Sequence, residues 1–125
     1  MRLFEIETID VVKNPTVAST EIPLNKPGGF TVVILNDNVT PAEVVVEAIM
    51  YATGFSEAEA WKRMTAAHKG GWTPIAAYSS YDIAESVADK IMRHAQQNSN
   101  YDHYRRISRF NGPWPLTAEV MDSSQ

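Results

Sequence analysis

A chain of 125 residues holds one domain with a real core and leaves little room for a second. Its 11 basic against 15 acidic side chains give a net charge of −4, so no global basic field draws it to nucleic acid or anionic lipid. The lack of cysteine excludes a disulfide, a thiolate metal site and a thiol nucleophile, which fits an intracellular setting. No apolar run approaches the ~18 residues that span a bilayer. The start, "MRLFEIETIDVVKNP", alternates apolar and charged residues, unlike the unbroken apolar core of a signal peptide.

Taken in chain order, residues 1–29 read as an arm and linker, flexible or strand-forming. Three prolines and Gly28-Gly29 fall between 13 and 29. "FTVVILN" predicts a buried strand over roughly 30–36. Thr40-Pro41-Ala42-Glu43 has the form of a capping box with proline at the first helical position, and predicts a helix that ends near Gly54. Val45, Ala48, Ile49 and Ala52 mark its apolar face. Ser56-Glu57-Ala58-Glu59 is a second such box; its helix presents Ala60, Met64, Ala67 and His68 and stops at Gly70-Gly71. "PIAAYS" predicts a second strand at 74–79, and Ser80 is placed to cap a third helix through Ile83, Ala84, Val87, Ile91 and His94. An extended, aromatic and basic loop occupies 96–114, a last strand falls in 115–121, and 122–125 form a tail. The order β-α-α-β-α-β predicts an α+β domain over 30–121, a small antiparallel sheet with helices on one face.

Three constellations carry chemistry. The turn after the first strand spends Asn36, Asp37, Asn38 and Thr40 within five positions, more polarity than a helix cap needs. Antiparallel packing of the second helix on the first would return His68 to the level of Asp37. These residues equally suit a plain turn and a helix C-terminus. Ala42 and Val45 face Met64 and Ala67, and alanines there fit either a cavity or closely packed helices. Finally, "NYDHYRRISRFNGPW" interleaves Arg105, Arg106 and Arg109 with Tyr101, Tyr104, Phe110 and Trp114. That pattern serves single-stranded nucleic acid in some proteins, but on an acidic chain it reads as a loop stapled down by its aromatics. No nucleophile elbow, phosphate-binding loop, zinc-binding H-E-x-x-H or dinucleotide glycine pattern is present, so catalysis is not expected.

"FTVVILNDNVTPAEVVVEAI", "GFSEAEAWKRMTAAH" and "YDIAES" together resemble the ClpS family, adaptors that deliver N-degron substrates to the Clp protease. The shared pattern is a strand ending in N-D-D-x-T-P, a helix, a second helix closing in M-x-x-x-H, and a later A-E-[TS]. The resemblance implies a three-stranded antiparallel sheet with three helices, like the C-terminal domain of the ribosomal stalk protein. It implies binding of the free first residue of a substrate, a bulky hydrophobic one, and docking on the N-terminal domain of a ClpA- or ClpC-type unfoldase. Carried over by position, Asn36, Asp37, Asn38 and His68 would hold the α-amino group. Thr40, Ala42, Val45, Met64, Ala67 and Leu116 would line the hydrophobic hole, with Asp82 and Glu85 on the docking side. No cofactor or metal is implied, the protein would be a cytoplasmic monomer, and no membrane or nucleic acid would be a partner.

Three departures from the pattern shape further expectations. Asn38 replaces the second acid of N-D-D, removing a negative charge. Ala42 and Ala67 stand where the family usually carries Met and a larger aliphatic residue, which implies a roomier hole that tolerates Ile or Val or accepts Trp more readily. Val87 replaces a lysine on the unfoldase-facing side while Asp82 keeps the acid before that motif, a departure that bears on docking and not on substrate binding. A protein of this fold that occupies the unfoldase without cargo is the alternative, and a nucleic-acid module ranks third.

Overall fold

The computed structural model describes residues 21–24, 28–97 and 113–122. Strands β1 (Glu21–Ile22), β2 (Phe30–Leu35), β3 (Trp72–Tyr78) and β4 (Thr117–Asp122) form one antiparallel sheet in the order β1-β3-β2-β4. Helices α1 (Ala42–Thr53), α2 (Glu57–Gly70) and α3 (Tyr81–Gln97) pack with it, so the α+β class and the three helices are as the sequence indicates. The sheet has one strand more than the expected three. Glu21 and Ile22, inside the 1–29 arm, pair with Tyr78 and Ala77.

What makes room for β1 is Gly29. It holds a left-handed φ of 101°, and a Cβ there would lie 2.6 Å from Ile22 Cδ1 and 2.7 Å from the Tyr78 carbonyl oxygen. Only glycine allows that backbone to pass.

β2 is central because its apolar run is buried on both sides, as "TVVI" shows in Thr31 to Ile34. β3 starts at Trp72, two residues before the expected 74, and takes in Pro74. The register shifts between Val32 and Val33, so Val32 faces Ala76 and Val33 faces Pro74. Such a bulge is where a strand accepts proline, which has no N–H for the ladder. Pro74 still has its carbonyl, which accepts from Arg63 Nη1 at 2.9 Å and ties α2 to β3.

α1 lies between α2 and α3. Its three consecutive valines, Val44 to Val46, are all buried, so packing rather than helix propensity holds this β-branched segment helical. Its start departs from the sequence expectation: Pro41 is the N-cap residue and no side chain caps the helix. At the second box Ser56 caps α2, its Oγ accepting from the Glu59 N–H at 3.1 Å, while the Glu59 carboxylate turns to Arg63 Nε at 2.7 Å. Ser80 Oγ likewise accepts from the Ile83 N–H at 3.3 Å.

Val87 is 0% exposed, packed in the core with Ala84, Ala88 and Ile91. The expectation that it stands on the unfoldase-facing surface is corrected. The apolar stripe of α3 turns position 87 inward, where a lysine would bury its charge. Of the aromatic-basic segment, residues 98–112 lie outside the described residues, and with them Tyr101, Tyr104, Arg105, Arg106, Arg109 and Phe110. Trp114 is 1% exposed and belongs to the core, so its ring is not free to stack on a base. No helix among the described residues is long and apolar enough to cross a membrane.

Candidate functional site

The turn after β2 is built around one carboxylate. Asp37 Oδ1 accepts from the Val39 N–H at 2.8 Å and the Thr40 N–H at 2.6 Å, while Oδ2 accepts from Thr40 Oγ1 at 2.9 Å. This explains the missing cap: the Thr40 hydroxyl donates backward to Asp37 rather than serving the helix. Three contacts occupy most of a carboxylate's roughly four acceptor positions. The loop is therefore fixed while its negative charge stays at the surface of the turn.

A second clasp brings α2 to this loop. Gly71 ends α2 at a left-handed φ of 91°, its N–H donating to the Ala67 carbonyl at 2.8 Å. Its own carbonyl accepts from the Asn36 N–H at 2.8 Å. The exposed His68, in the last turn of α2, is thereby set beside the Asn36–Thr40 loop. Two helix ends of opposite polarity meet here. The C-terminus of α2 favours a cation, the N-terminus of α1 disfavours one, and Asp37 with Glu43 in the first turn of α1 offsets the latter.

Between these elements opens a pocket of about 220 Å³. It gathers all ten residues expected at the amino-group site and the hole: Asn36, Asp37, Asn38, Thr40, Ala42, Val45, Met64, Ala67, His68 and Leu116. Ile34 and Leu35, at the end of β2, also line it and were not anticipated. Its polar residues sit on the loop and at the α2 terminus. The deeper wall is Val45 and Ala67, both largely buried, with Leu116 from the segment entering β4. Ala42 and Ala67 each present a single methyl, so the cavity reading of those alanines prevails over close helix packing. The Asn36–Gly71 clasp had no signal in the sequence beyond the paired glycines that end α2.

Asp82 and Glu85 are elsewhere, exposed on the outer face of α3. They line a second, larger depression of about 740 Å³ with Asp89, Ser86 and Met92 of α3 and residues 118–120 of β4. Glu85 Oε2 accepts from the Tyr81 hydroxyl at 3.0 Å, and this bond raises the Tyr81 phenol above its ordinary value. Among the described residues no three His, Cys, Asp or Glu side chains group as a metal site.

An apolar hole with polar side chains at its mouth, on a small α+β scaffold, has the form of a recognition module. Comparison with known proteins agrees. The profile of "ATP-dependent Clp protease adaptor protein ClpS" matches residues 25–103. The ClpS adapter of Methylococcus capsulatus is 32% identical over 77 residues, 62% of this chain and 72% of that protein. The one from Roseobacter denitrificans is 29% identical over 84 residues, 67% and 74% of the two chains. Among solved structures, Agrobacterium tumefaciens ClpS2 bound to L-phenylalaninamide superposes with a TM-score of 0.56 at 24% identity, covering 77% of this chain and all 100% of that one, a likeness of fold. The chain belongs to the ClpS family of Clp protease adaptors, which places it among binding proteins rather than enzymes.

Proposed function

We propose that the pocket reads the free first residue of a substrate protein and that the chain hands such substrates to a Clp unfoldase. The observation that carries this reading is the convergence of Asn36, Asp37, Asn38 and His68 on the mouth of an apolar hole. A protein N-terminus joins an ammonium with three donors to one side chain, and this arrangement complements both. The side-chain oxygens of Asn36 and Asn38 and a ring nitrogen of His68 accept the N–H donors. Asp37 supplies the countercharge and the acceptor position on Oδ2 that the turn leaves over.

Burying one large apolar side chain yields roughly 1.5–3 kcal/mol, and each hydrogen bond to the ammonium a similar amount. After association costs the affinity is on the order of micromolar. That suits an adaptor that releases its cargo. The ClpS2 structure, with a phenylalanine derivative bound, is in keeping with such a ligand. Docking on the unfoldase falls to the α3 face through Asp82 and Glu85, whose exposure supports that role.

A fluorescent peptide beginning with Leu or Phe tests the pocket. Tight binding with a free amine and loss on acetylation are expected; equal binding of both forms would sink the reading. Co-elution with the N-terminal domain of a ClpA- or ClpC-type unfoldase tests delivery separately.

A further inference from the structure

Three consecutive residues of β4, Ala118, Glu119 and Val120, line the 740 Å³ depression beside α3. Successive side chains of a strand point to opposite faces of the sheet. A depression that meets all three therefore runs along the backbone edge of the strand, not over one face. β4 is the outermost strand, and no described strand pairs with its outer edge. The opposite wall is the outward stripe of α3, bearing Asp82, Glu85 and Asp89, while Ala88, Met92 and Val120 add apolar surface. Among the described residues no Lys, Arg or His lines the depression.

We propose that this groove receives an extended, basic segment of a partner protein, which adds as a strand to the edge of β4. An open edge offers main-chain donors and acceptors, and side chains alternating along the added strand reach the two walls. The spacing agrees. Glu85 and Asp89 lie four residues apart on α3, about 6 Å along a helix axis. Alternate side chains of a strand are about 6.8 Å apart. Lysines at positions i and i+2 thus stand opposite Glu85 and Asp89, and a basic residue between them faces Glu119 on the other side of the sheet. Asp89 already pairs with Arg93 at 2.8 Å, but both are exposed, and such a pair exchanges readily for an incoming cation. The proposal goes beyond the docking role given to Asp82 and Glu85, since it fixes the partner's chemistry and conformation, and it does not depend on the pocket.

An acetylated and amidated peptide of four Thr-Lys repeats is the probe, because it has no free amine for the pocket. It is expected to bind the full chain and to slow amide exchange at residues 118–120. Binding is expected to weaken by on the order of tenfold in the Glu85→Gln/Asp89→Asn variant. Glu57→Gln, an exposed acid on α2, serves as the charge control and leaves binding unchanged. The proposal is overturned by absence of binding at low salt, by equal weakening in Glu57→Gln, by unchanged exchange in β4, or by tighter binding of a helical Lys-Ala peptide. A Leu-peptide measured in parallel separates the two readings. If the chain takes the Leu-peptide but not the lysine peptide, the groove fails alone; the reverse result supports the groove and fails the pocket.

Discussion

The pocket and the groove lie on one small sheet but are made in opposite ways. The pocket is braced: Asp37 holds its loop by three bonds, and the Gly71 carbonyl locks the α2 terminus to Asn36. The groove is formed where a strand edge and a helix face have no neighbour among the described residues, and surface pairs such as Asp89–Arg93 order its side chains. A braced site selects by shape, and an open one by charge. Loss of the bracing contacts of the pocket should therefore cost fold and binding together, while changes in the groove should cost binding alone.

The largest effect is expected at Asp37. Asp37→Ala leaves the Val39 and Thr40 N–H groups without their acceptor, a loss of about 1–3 kcal/mol in a denaturant titration, and it should abolish capture of a Leu-peptide. Asp37→Asn separates the two roles of the residue. Its Oδ1 still accepts both N–H groups, and the Thr40 hydroxyl can turn to accept from Nδ2. The loop then survives while the charge is gone. Near-native stability with roughly tenfold weaker capture is expected, the cost of about one charge-assisted bond. Native capture by the Asn variant would show that the turn, not its charge, is what the ligand requires.

Next comes the shape of the hole. Ala42 opens α1 beside the polar loop and Val45 lies one turn further along, both lining the pocket, and the proposed function seats the Cβ of a bound first residue against Ala42. A branch at that Cβ therefore meets only a methyl group. Ile- and Val-initiated peptides should bind within about tenfold of Leu, and Ala42→Met should exclude them while costing under about 1.5 kcal/mol of stability. Equal exclusion by both proteins would remove Ala42 as the cause.

Much of this site is legible in the sequence because its parts are local. "NDNVTP" and the last turn of α2 each announce themselves by residue type, and helical spacing brings Ala42, Val45, Met64 and Ala67 together. What escapes is whatever a contact outside the element itself decides. Thr40 looks like a helix cap, yet Asp37, three residues earlier, takes its hydroxyl. Two residues in a proline-rich stretch become a strand because β3 offers an edge and Gly29 leaves space. Val87 reads as a surface position by correspondence, yet the stripe it shares with Ala84 and Ile91 buries it. The groove is illegible for the same reason, since its walls lie some thirty residues apart in the chain and join only through the sheet.

Two tyrosines three residues apart sharpen the contrast between enclosed and open surroundings. The Tyr78 hydroxyl is buried with no hydrogen-bond partner among the described residues, and burial, with Glu21 adding, pushes its ionisation far above the ordinary phenol value. A group raised on folding contributes stability that is whole below its unfolded pKa, about 10, and that is lost as pH rises beyond it. Wild type should thus lose stability above that pH by a component missing in Tyr78→Phe, with the two within about 1 kcal/mol at neutral pH. Tyr81, exposed at the groove, is raised chiefly by its bond to Glu85. It should titrate reversibly in the folded protein, at a lower pH in Glu85→Gln. If phenolate absorbance shows both rings ionising together, burial is not what separates them.

The smallest effect is expected when the groove acids are neutralised. Glu85 and Asp89 are exposed, and their partners Tyr81 and Arg93 lie on the same helix. An exposed pair within one helix gains little Coulomb energy in water and gives up side-chain freedom to form. Glu85→Gln/Asp89→Asn should therefore leave the denaturant midpoint within about 0.5 kcal/mol of wild type. A loss of 2 kcal/mol or more would mean that these carboxylates brace the fold as Asp37 braces its loop. The distinction between a braced pocket and an open groove would then fail at the groove.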